Sequence, residues 1–222
     1  MKDPHTPENK PEANGLVGHE AGGDGRRYAP AAARNRDPLW AVLGPRLPSY
    51  GRVLEIASGT GEHVTAFAAQ RPDLTWLPSD PDADMRASID AHVAARELFN
   101  VPPAMDLDVT WWPWNVKPVD AVVCINMLHI SPWNATESLL AGTAEVLNTG
   151  GRLFIYGPFK RAGYHVSESN ARFDASLRAR DRHWGVRDID DVTAVAQEHN
   201  LALEDVVEMP ANNQTLIFRC HD

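Results

Sequence analysis

Glu55, Gly59, Gly61 and Asp80 are the residues whose types and order most directly point to chemistry. The run Val53-Leu54-Glu55-Ile56-Ala57-Ser58-Gly59-Thr60-Gly61-Glu62-His63 takes an apolar strand into a buried acid, then into a two-glycine loop that opens a helix. Glycine lets the backbone turn sharply and approach a ligand, because no Cβ stands in the way. The helix start adds unpaired N–H groups. Together these features build a nucleotide site, and Glu55 sets a negative charge where the ligand enters.

Two ligand classes compete for such a loop. A dinucleotide fingerprint wants Gly-x-Gly-x-x-Gly or Ala. Counting from Gly59, the third small residue is replaced by Val64, which would crowd helix against strand, and an acid before the glycines is no part of that fingerprint. S-adenosylmethionine (SAM) has no pyrophosphate to cradle. It carries a sulfonium cation, an amino acid tail and a ribose diol, and acids suit it. Glu55 then serves the tail, and Asp80, with Pro81 after the next strand, serves the ribose hydroxyls through charge-assisted hydrogen bonds. The plainer readings are a buried acid bonded to backbone N–H groups for Glu55 and a helix cap for Asp80.

The elements that position these residues alternate as βαβα, which means a parallel sheet with helices on both faces. Ligands of such sheets bind outside the carboxyl ends of the strands. Strands are expected at 52–57, 74–77, 104–108, 120–126, 152–156, 201–209 and 214–220. Helices are expected from Asp37 as cap with Pro38 first, at 61–70, at 81–96 capped by Asp80-Pro81, from Ser131-Pro132 to Leu147, and from Asp188 to Asn200. Residues 1–26, rich in Pro, Gly, Glu and Asn, read as a disordered tail, and 27–222 as one domain. The segment 157–187 exceeds a simple connection and reads as a lid.

Bulk properties bound the function. The net charge of −9 disfavours nucleic-acid binding, since phosphate contacts need clustered Lys and Arg. Cys124 and Cys220 form no metal or redox motif, and no His/Cys/carboxylate cluster suggests a metal. There is no signal-peptide pattern and no apolar run of membrane-spanning length, so a cytoplasmic protein without a membrane partner is expected.

Glu55-Ile-Ala-Ser-Gly-Thr-Gly61 resembles motif I of the class I SAM-dependent methyltransferases, with Ala57 where many members have glycine. The chain from about 27 to 220 further resembles the family labelled domain of unknown function 938, or methyltransferase-like twenty-six in animals. The matching stretches include Tyr28-Ala-Pro-Ala-Ala-Ala-Arg34-Asn35-Arg36, Pro78-Ser-Asp80-Pro-Asp82, Cys124-Ile-Asn-Met-Leu-His-Ile-Ser-Pro-Trp133, Tyr156-Gly-Pro-Phe159, Ser169-Asn-Ala-Arg-Phe-Asp174, Trp184-Gly-Val-Arg187 and Glu208-Met-Pro-Ala-Asn-Asn213. The resemblance implies a Rossmann-like α/β fold with a seven-stranded, mostly parallel sheet and an antiparallel last strand. It also implies that Asp108 or the Val109 backbone holds the adenine edge, and that Asn126 and Met127 face the methionine moiety.

Methyl transfer from a sulfonium is an in-line displacement, so the protein mainly positions the nucleophile and excludes water. A base is needed when the nucleophile starts as a hydroxyl or ammonium, and hardly at all for a thiolate. His129, just past the fourth strand, is the candidate base, because imidazole titrates near neutral pH. The alternative is a histidine that holds its loop. Tyr28 and Asn35 lie in a segment that folds over the cofactor. The Tyr28 ring would attract the sulfonium by about 0.5–2 kcal/mol, and Arg34 would pair with the cofactor carboxylate. Trp133, Tyr164, His165, Trp184, Asn212 and Asn213 are candidate substrate contacts, although Asn also simply favours turns. Ile125-Asn126-Met127-Leu128 is not the Asn/Asp-Pro-Pro-Tyr signature of nucleobase and amide N-methyltransferases. The reading is a SAM-dependent methyltransferase acting on an O, S or N nucleophile of a small apolar or aromatic molecule, with the oligomeric state open. A non-catalytic SAM-binding adaptor and an NAD-linked oxidoreductase are the alternatives.

Overall fold

Val53 and Leu54, Val122 and Val123, Phe154 and Ile155, and Ile217 and Phe218 are sequence neighbours that enter different cores. Extended backbone turns successive side chains to opposite faces, so strands that are apolar at every position must be covered on both sides. The computed structural model describes residues 20–221, and they build that layered arrangement. Residues 1–19 of the expected disordered tail lie outside the described residues.

In chain order the elements are β1 (Glu20–Ala21), β2 (Arg27–Tyr28), α1 (Pro30–Leu43), β3 (Gly51–Ile56), α2 (Glu62–Gln70), β4 (Leu74–Pro78), α3 (Ala83–Ala95), β5 (Val119–Ile125), α4 (Trp133–Val146), β6 (Leu147–Gly157), β7 (Phe159–Arg161), β8 (Tyr164–His165), α5 (Glu168–Arg180), β9 (Arg187–Asp188), α6 (Ile189–Glu198), β10 (Leu201–Met209) and β11 (Asn213–Cys220). The central sheet runs β10-β11-β6-β5-β3-β4. Strands β4, β3, β5 and β6 are parallel. The last strand, β11, is antiparallel to both of its neighbours. Leu139 and Leu140 of α4 and Val192 and Ala196 of α6 pack on one face. Leu39 and Leu43 of α1, Val64 and Phe67 of α2 and Ile89 of α3 pack on the other.

Among the described residues the sheet has six strands where seven were expected. The segment at 104–108 contributes a single bridge, Ser79 to Met105, with Met105 N donating to Pro78 O at 2.9 Å and Asp80 N to Met105 O at 3.1 Å. Pro102 and Pro103 just before it have no N–H with which to extend a ladder.

Three helix starts also differ from expectation. Helix α1 begins at Pro30, which takes the first helical position, and runs through Pro38 rather than starting at Asp37. The alanines 31–33 favour the helix, and an interior proline gives up one backbone bond. The cap of α3 is Asp82, which accepts the Asp84 N–H, and not Asp80. Ser131 does not cap α4 and instead donates to Leu128 O at 3.4 Å. Asp188 does cap α6.

Strands β1 and β2 pair Glu20 with Tyr28 and Ala21 with Arg27. The 157–187 segment folds into α5 and a small sheet, β8-β7-β9. Among the described residues no helix is long and apolar enough to cross a membrane.

Candidate functional site

The loop after β3 is held in left-handed backbone, with φ of 53° at Ala57, 56° at Gly59 and 90° at Gly61. A Cβ on Gly61 would lie 2.7 Å from the Ile89 backbone, so glycine there lets α2 approach α3. Gly59 differs, because a Cβ built on it meets nothing within 4 Å. The loop therefore opens onto free space at Gly59. Just behind it Glu55 is buried, and its Oε2 has no hydrogen-bond partner. Burial pushes this carboxyl up to about 8, opposed by the Ser58 hydrogen bond and reinforced by Asp80. An orphaned acid beside an open glycine loop is a place for a cationic or donor group. The residues present thus fit the amino acid end of SAM.

Asp80 is buried and ties the loop together. One of its oxygens accepts the Gly59 N–H at 2.9 Å and the other accepts the Asp82 N–H at 3.0 Å. Carboxylate oxygens take more than one hydrogen bond each, so both keep room for a diol. Its pKa is raised, chiefly by burial. Pro81 follows it, with its carbonyl accepting from Arg86. On the neighbouring loop the Asp108 carboxylate takes the Thr110 N–H and hydroxyl. Val109 is buried, and its carbonyl accepts from Trp114 Nε1 at 3.2 Å. A cavity of about 410 Å³ lies beside Asp108, lined also by Met105, Leu107, Trp111 and Trp114.

The segment from Arg27 to Asn35 is strapped onto this loop. Arg27 N donates to Ser88 Oγ, which donates to Thr60 O, both at 2.8 Å. Ala29 N donates to Glu62 Oε2 at 2.6 Å. Asn35 Oδ1 lies 2.6 Å from His63 Nε2. The Tyr28 ring meets His92 edge-on at 5.1 Å, with the Arg26 guanidinium over it, so its observed partners lie on α3 and its own hairpin. Arg34 is exposed.

His129 lies on the other side of the opening. Asn126 adopts a φ of 60° at the end of β5, and its N–H donates to Tyr156 O. Met127 packs against the core. His129 is buried in the turn that follows, its ring 5.5 Å from Phe173 of α5. Its Nδ1 lies 3.4 Å from where a Gly157 side chain would begin. Burial, with Arg187 adding, pushes the imidazole down to about 4. It is therefore neutral at physiological pH, with a lone pair to offer but modest basicity. Arg187 pins this turn, donating to Leu128 O at 3.0 Å, to Ser131 O, and to His183 O at 2.9 Å.

The remaining candidates are dispersed. Trp133 bonds Glu137 through its indole N–H and lies under the Arg187 guanidinium. Trp184 is half-buried. Tyr164 is 78 % exposed and not gathered with His129. His165 Nε2 pairs with Asp174 at 3.3 Å, a carboxylate that Lys160 and Arg178 also hold. Asn212 is bound to α5: its carbonyl accepts from Asn170 and its amide donates to Ser169. Asn213 donates to Pro210 O at 3.1 Å.

Sequence reasoning missed His63, whose ring only the fold brings to Asn35. The available signal was a polar residue on an otherwise buried helix face.

Methyltransferases are among the solved structures similar to this chain. An O-methyltransferase family protein from Burkholderia thailandensis aligns with a TM-score of 0.74 at 17 % identity, covering 86 % of this chain and 58 % of its own. The SAM-dependent methyltransferase SibL in its apo form aligns with a TM-score of 0.71 at 18 % identity, covering 86 % and 56 %. A methyltransferase of calicheamicin biosynthesis, bound to SAH, gives 0.68 at 18 % identity, covering 86 % and 54 %. This chain spans a little over half the length of those structures, and the likeness establishes the Rossmann-like methyltransferase fold. Residues 26–220 match the family described as "Protein of unknown function (DUF938)", and the chain belongs to that family.

Proposed function

We propose that this protein is a SAM-dependent methyltransferase acting on an O, S or N nucleophile of a small molecule. The observation that carries the reading is the buried, unpartnered Glu55 Oε2 beside the open left-handed loop at Gly59. When bound, SAM supplies an electrophilic methyl group already activated by its sulfonium. The chain's own residues then do the rest. Glu55 and the Gly59 loop hold the amino acid end, Asp80 the ribose and Asp108 the adenine side. The strap from Tyr28 to Asn35 covers the loop, and α5 with Phe173 closes over His129 to exclude water. His129, neutral at working pH, accepts the acceptor's proton where the nucleophile carries one. The likeness to the animal proteins called methyltransferase-like twenty-six belongs to this reading, as do a cytoplasmic site of action and a substrate that is not nucleic acid. Val64, fully buried against the sheet where a dinucleotide loop needs a small residue, counts against the NAD-linked alternative.

Calorimetric titration with SAM tests the cofactor. Asp80→Ala is expected to weaken SAM binding at least tenfold while the domain stays folded, and an unchanged dissociation constant would remove the ribose role. Incubation of the protein and a cell metabolite extract with labelled-methyl SAM, read by mass spectrometry, tests the transfer. Tight SAM binding without any labelled product would favour the adaptor, and NADH binding without SAM binding would end the proposal.

A further inference from the structure

The segment 157–187 carries seven Lys and Arg against three acids, in a chain whose net charge is −9. Most of these cations are exposed, but the Lys160 side chain on β7 is only 19 % exposed. Its carboxylate partner, Asp174 of α5, lies 3.5 Å away and is shared. The same oxygen, Oδ2, meets Arg178 Nε at 3.2 Å and His165 Nε2 at 3.3 Å. The other oxygen accepts the Val186 N–H at 2.7 Å. Burial alone would raise the Asp174 carboxyl, yet the Val186 N–H, Arg178 and Lys160 bring it below its usual value, so it supplies one full negative charge. Nearby acids are engaged elsewhere. Asp188, opposite Lys160 in the small sheet, accepts from the Asp190 and Gly163 N–H groups, and Glu208 pairs with Arg161. Lys160 and Arg178 thus share one carboxylate. Among the described residues, the other Lys160 ammonium hydrogens and the Arg178 Nη groups meet no protein acceptor.

The cluster borders the proposed transfer site. Phe173, next to Asp174 on α5, sets its ring 5.5 Å from the His129 ring. Gly185 N donates to His129 O at 3.0 Å, and a Cβ on Gly185 would lie 2.6 Å from Arg178 Nη2 and 2.7 Å from Asp174 Oδ1. Lys160 follows closely on Gly157, the last residue of β6, against which His129 Nδ1 is packed.

We propose that Lys160 and Arg178 seat an acidic group of the methyl acceptor, a carboxylate or a phosphate, beside the His129 turn, a reading that rests on the proposed methyltransferase activity. A guanidinium presents parallel N–H groups that match two oxygens of one anion, and an ammonium adds a compact charge. Asp174 holds the two cations side by side but neutralises only one of them. An anion supplies the missing charge in a partly buried place, where charges interact more strongly than in water. A neutral ligand leaves the surplus unanswered, and a cationic one adds to it.

Calorimetry with S-adenosylhomocysteine on the full chain decides the cofactor reading by itself. The ¹⁵N-labelled protein, with and without that ligand, is then titrated with benzoate, phenyl phosphate, phenol and benzylammonium while the backbone amide signals of 159–165 and 183–187 are followed. Benzoate or phenyl phosphate is expected to shift them saturably, the tighter of the two identifying the anion, and phenol and benzylammonium are not. Lys160→Met is expected to weaken the anion at least tenfold and Arg178→Gln at least fivefold, with S-adenosylhomocysteine affinity changed less than threefold. Arg178 is half-exposed, so its variant keeps the test open should the lysine variant fail to fold. Arg180→Gln removes the same charge from an exposed position on α5 and is expected to leave anion affinity within twofold of the parent protein. Failure of S-adenosylhomocysteine to bind overturns the cofactor reading alone, because the anion titration is also read without it. The acidic-group seat is overturned if neither anion shifts the signals, or if phenol or benzylammonium shifts them equally. It is also overturned if Lys160→Met or Arg178→Gln binds the anion like the parent protein, or if Arg180→Gln weakens binding as much as they do.

Discussion

Ala57 is the residue at which motif and backbone disagree. Its φ of 53° lies in the left-handed region that L side chains avoid, and many related motifs hold glycine there. Left-handed backbone costs a non-glycine residue roughly 1–2 kcal/mol, whereas glycine costs about 0.5–1 kcal/mol in chain entropy. Ala57→Gly is therefore expected to be neutral or to stabilise by up to about 1 kcal/mol, with SAM binding retained. Ala66→Gly in the middle of α2 should cost about 1 kcal/mol or more by the same urea unfolding measurement. Equal losses at both positions would mean that Ala57 is not strained. Legibility at this scale followed chemistry that is local in sequence. Glu55, Gly59 and Asp80 announce themselves by order along adjoining elements. His63 does not, because it meets its polar partner only when Asn35 arrives from a distant part of the chain.

Among the elements, the 157–187 segment depends on a few charged side chains rather than on a large core. Asp174 gathers Lys160, His165 and Arg178 within α5, β7 and β8. Arg187 joins the segment to the His129 turn through two backbone carbonyls, Leu128 O and Ser131 O, and also bonds His183 O within the segment. Charged hydrogen bonds to carbonyls contribute about 1.5–3 kcal/mol each when buried, and less here because Arg187 is only partly buried. Arg187→Ala is expected to speed amide exchange at 127–131 and 183–188 while β3 and β5 keep their protection. Arg187→Lys should restore little, because an ammonium has no planar fork. Unchanged exchange in the alanine variant would show that apolar contacts such as Phe173 hold the segment by themselves. The alternation of apolar strands and capped helices made β3, β4, β5, β6 and α6 readable. The missing seventh strand and the early start of α1 were not. A strand reduced to one bridge has no period to detect, and proline marks a helix start without saying which of two prolines is used.

For the whole molecule, buried groups with opposed shifts shape how stability depends on pH. His63 and His129 fall to about 4 in the folded chain from the ordinary 6.5, so the unfolded chain binds more protons between those values. Their contribution is complete above pH 6.5 and is lost as pH falls toward 4, and His92, also lowered by burial, adds to the same limb. Glu55 works in the opposite direction. Its folded value of about 8 exceeds the ordinary 4.5, so the unfolded chain gives up its proton first and stability falls as pH rises from 4.5 to 8. Asp80, also raised by burial, acts on the same side as Glu55. Between 4.5 and 6.5 the three histidines outnumber the two acids, and above 6.5 Glu55 still acts. These groups therefore place the stability maximum of the free protein near pH 6.5. Urea unfolding across pH 4.5–8.5 checks this. Glu55→Gln should flatten the alkaline limb and leave the acid limb standing. His129→Gln should shallow the acid limb without moving the alkaline one. The same carboxyl that opens the loop to a ligand thus makes the free protein less stable above neutrality, and a bound cation that lets Glu55 ionise in place should restore the alkaline limb. Saturating SAM is accordingly expected to stabilise the protein more at pH 8 than at pH 6, and equal stabilisation at both would show that Glu55 does not meet the cation.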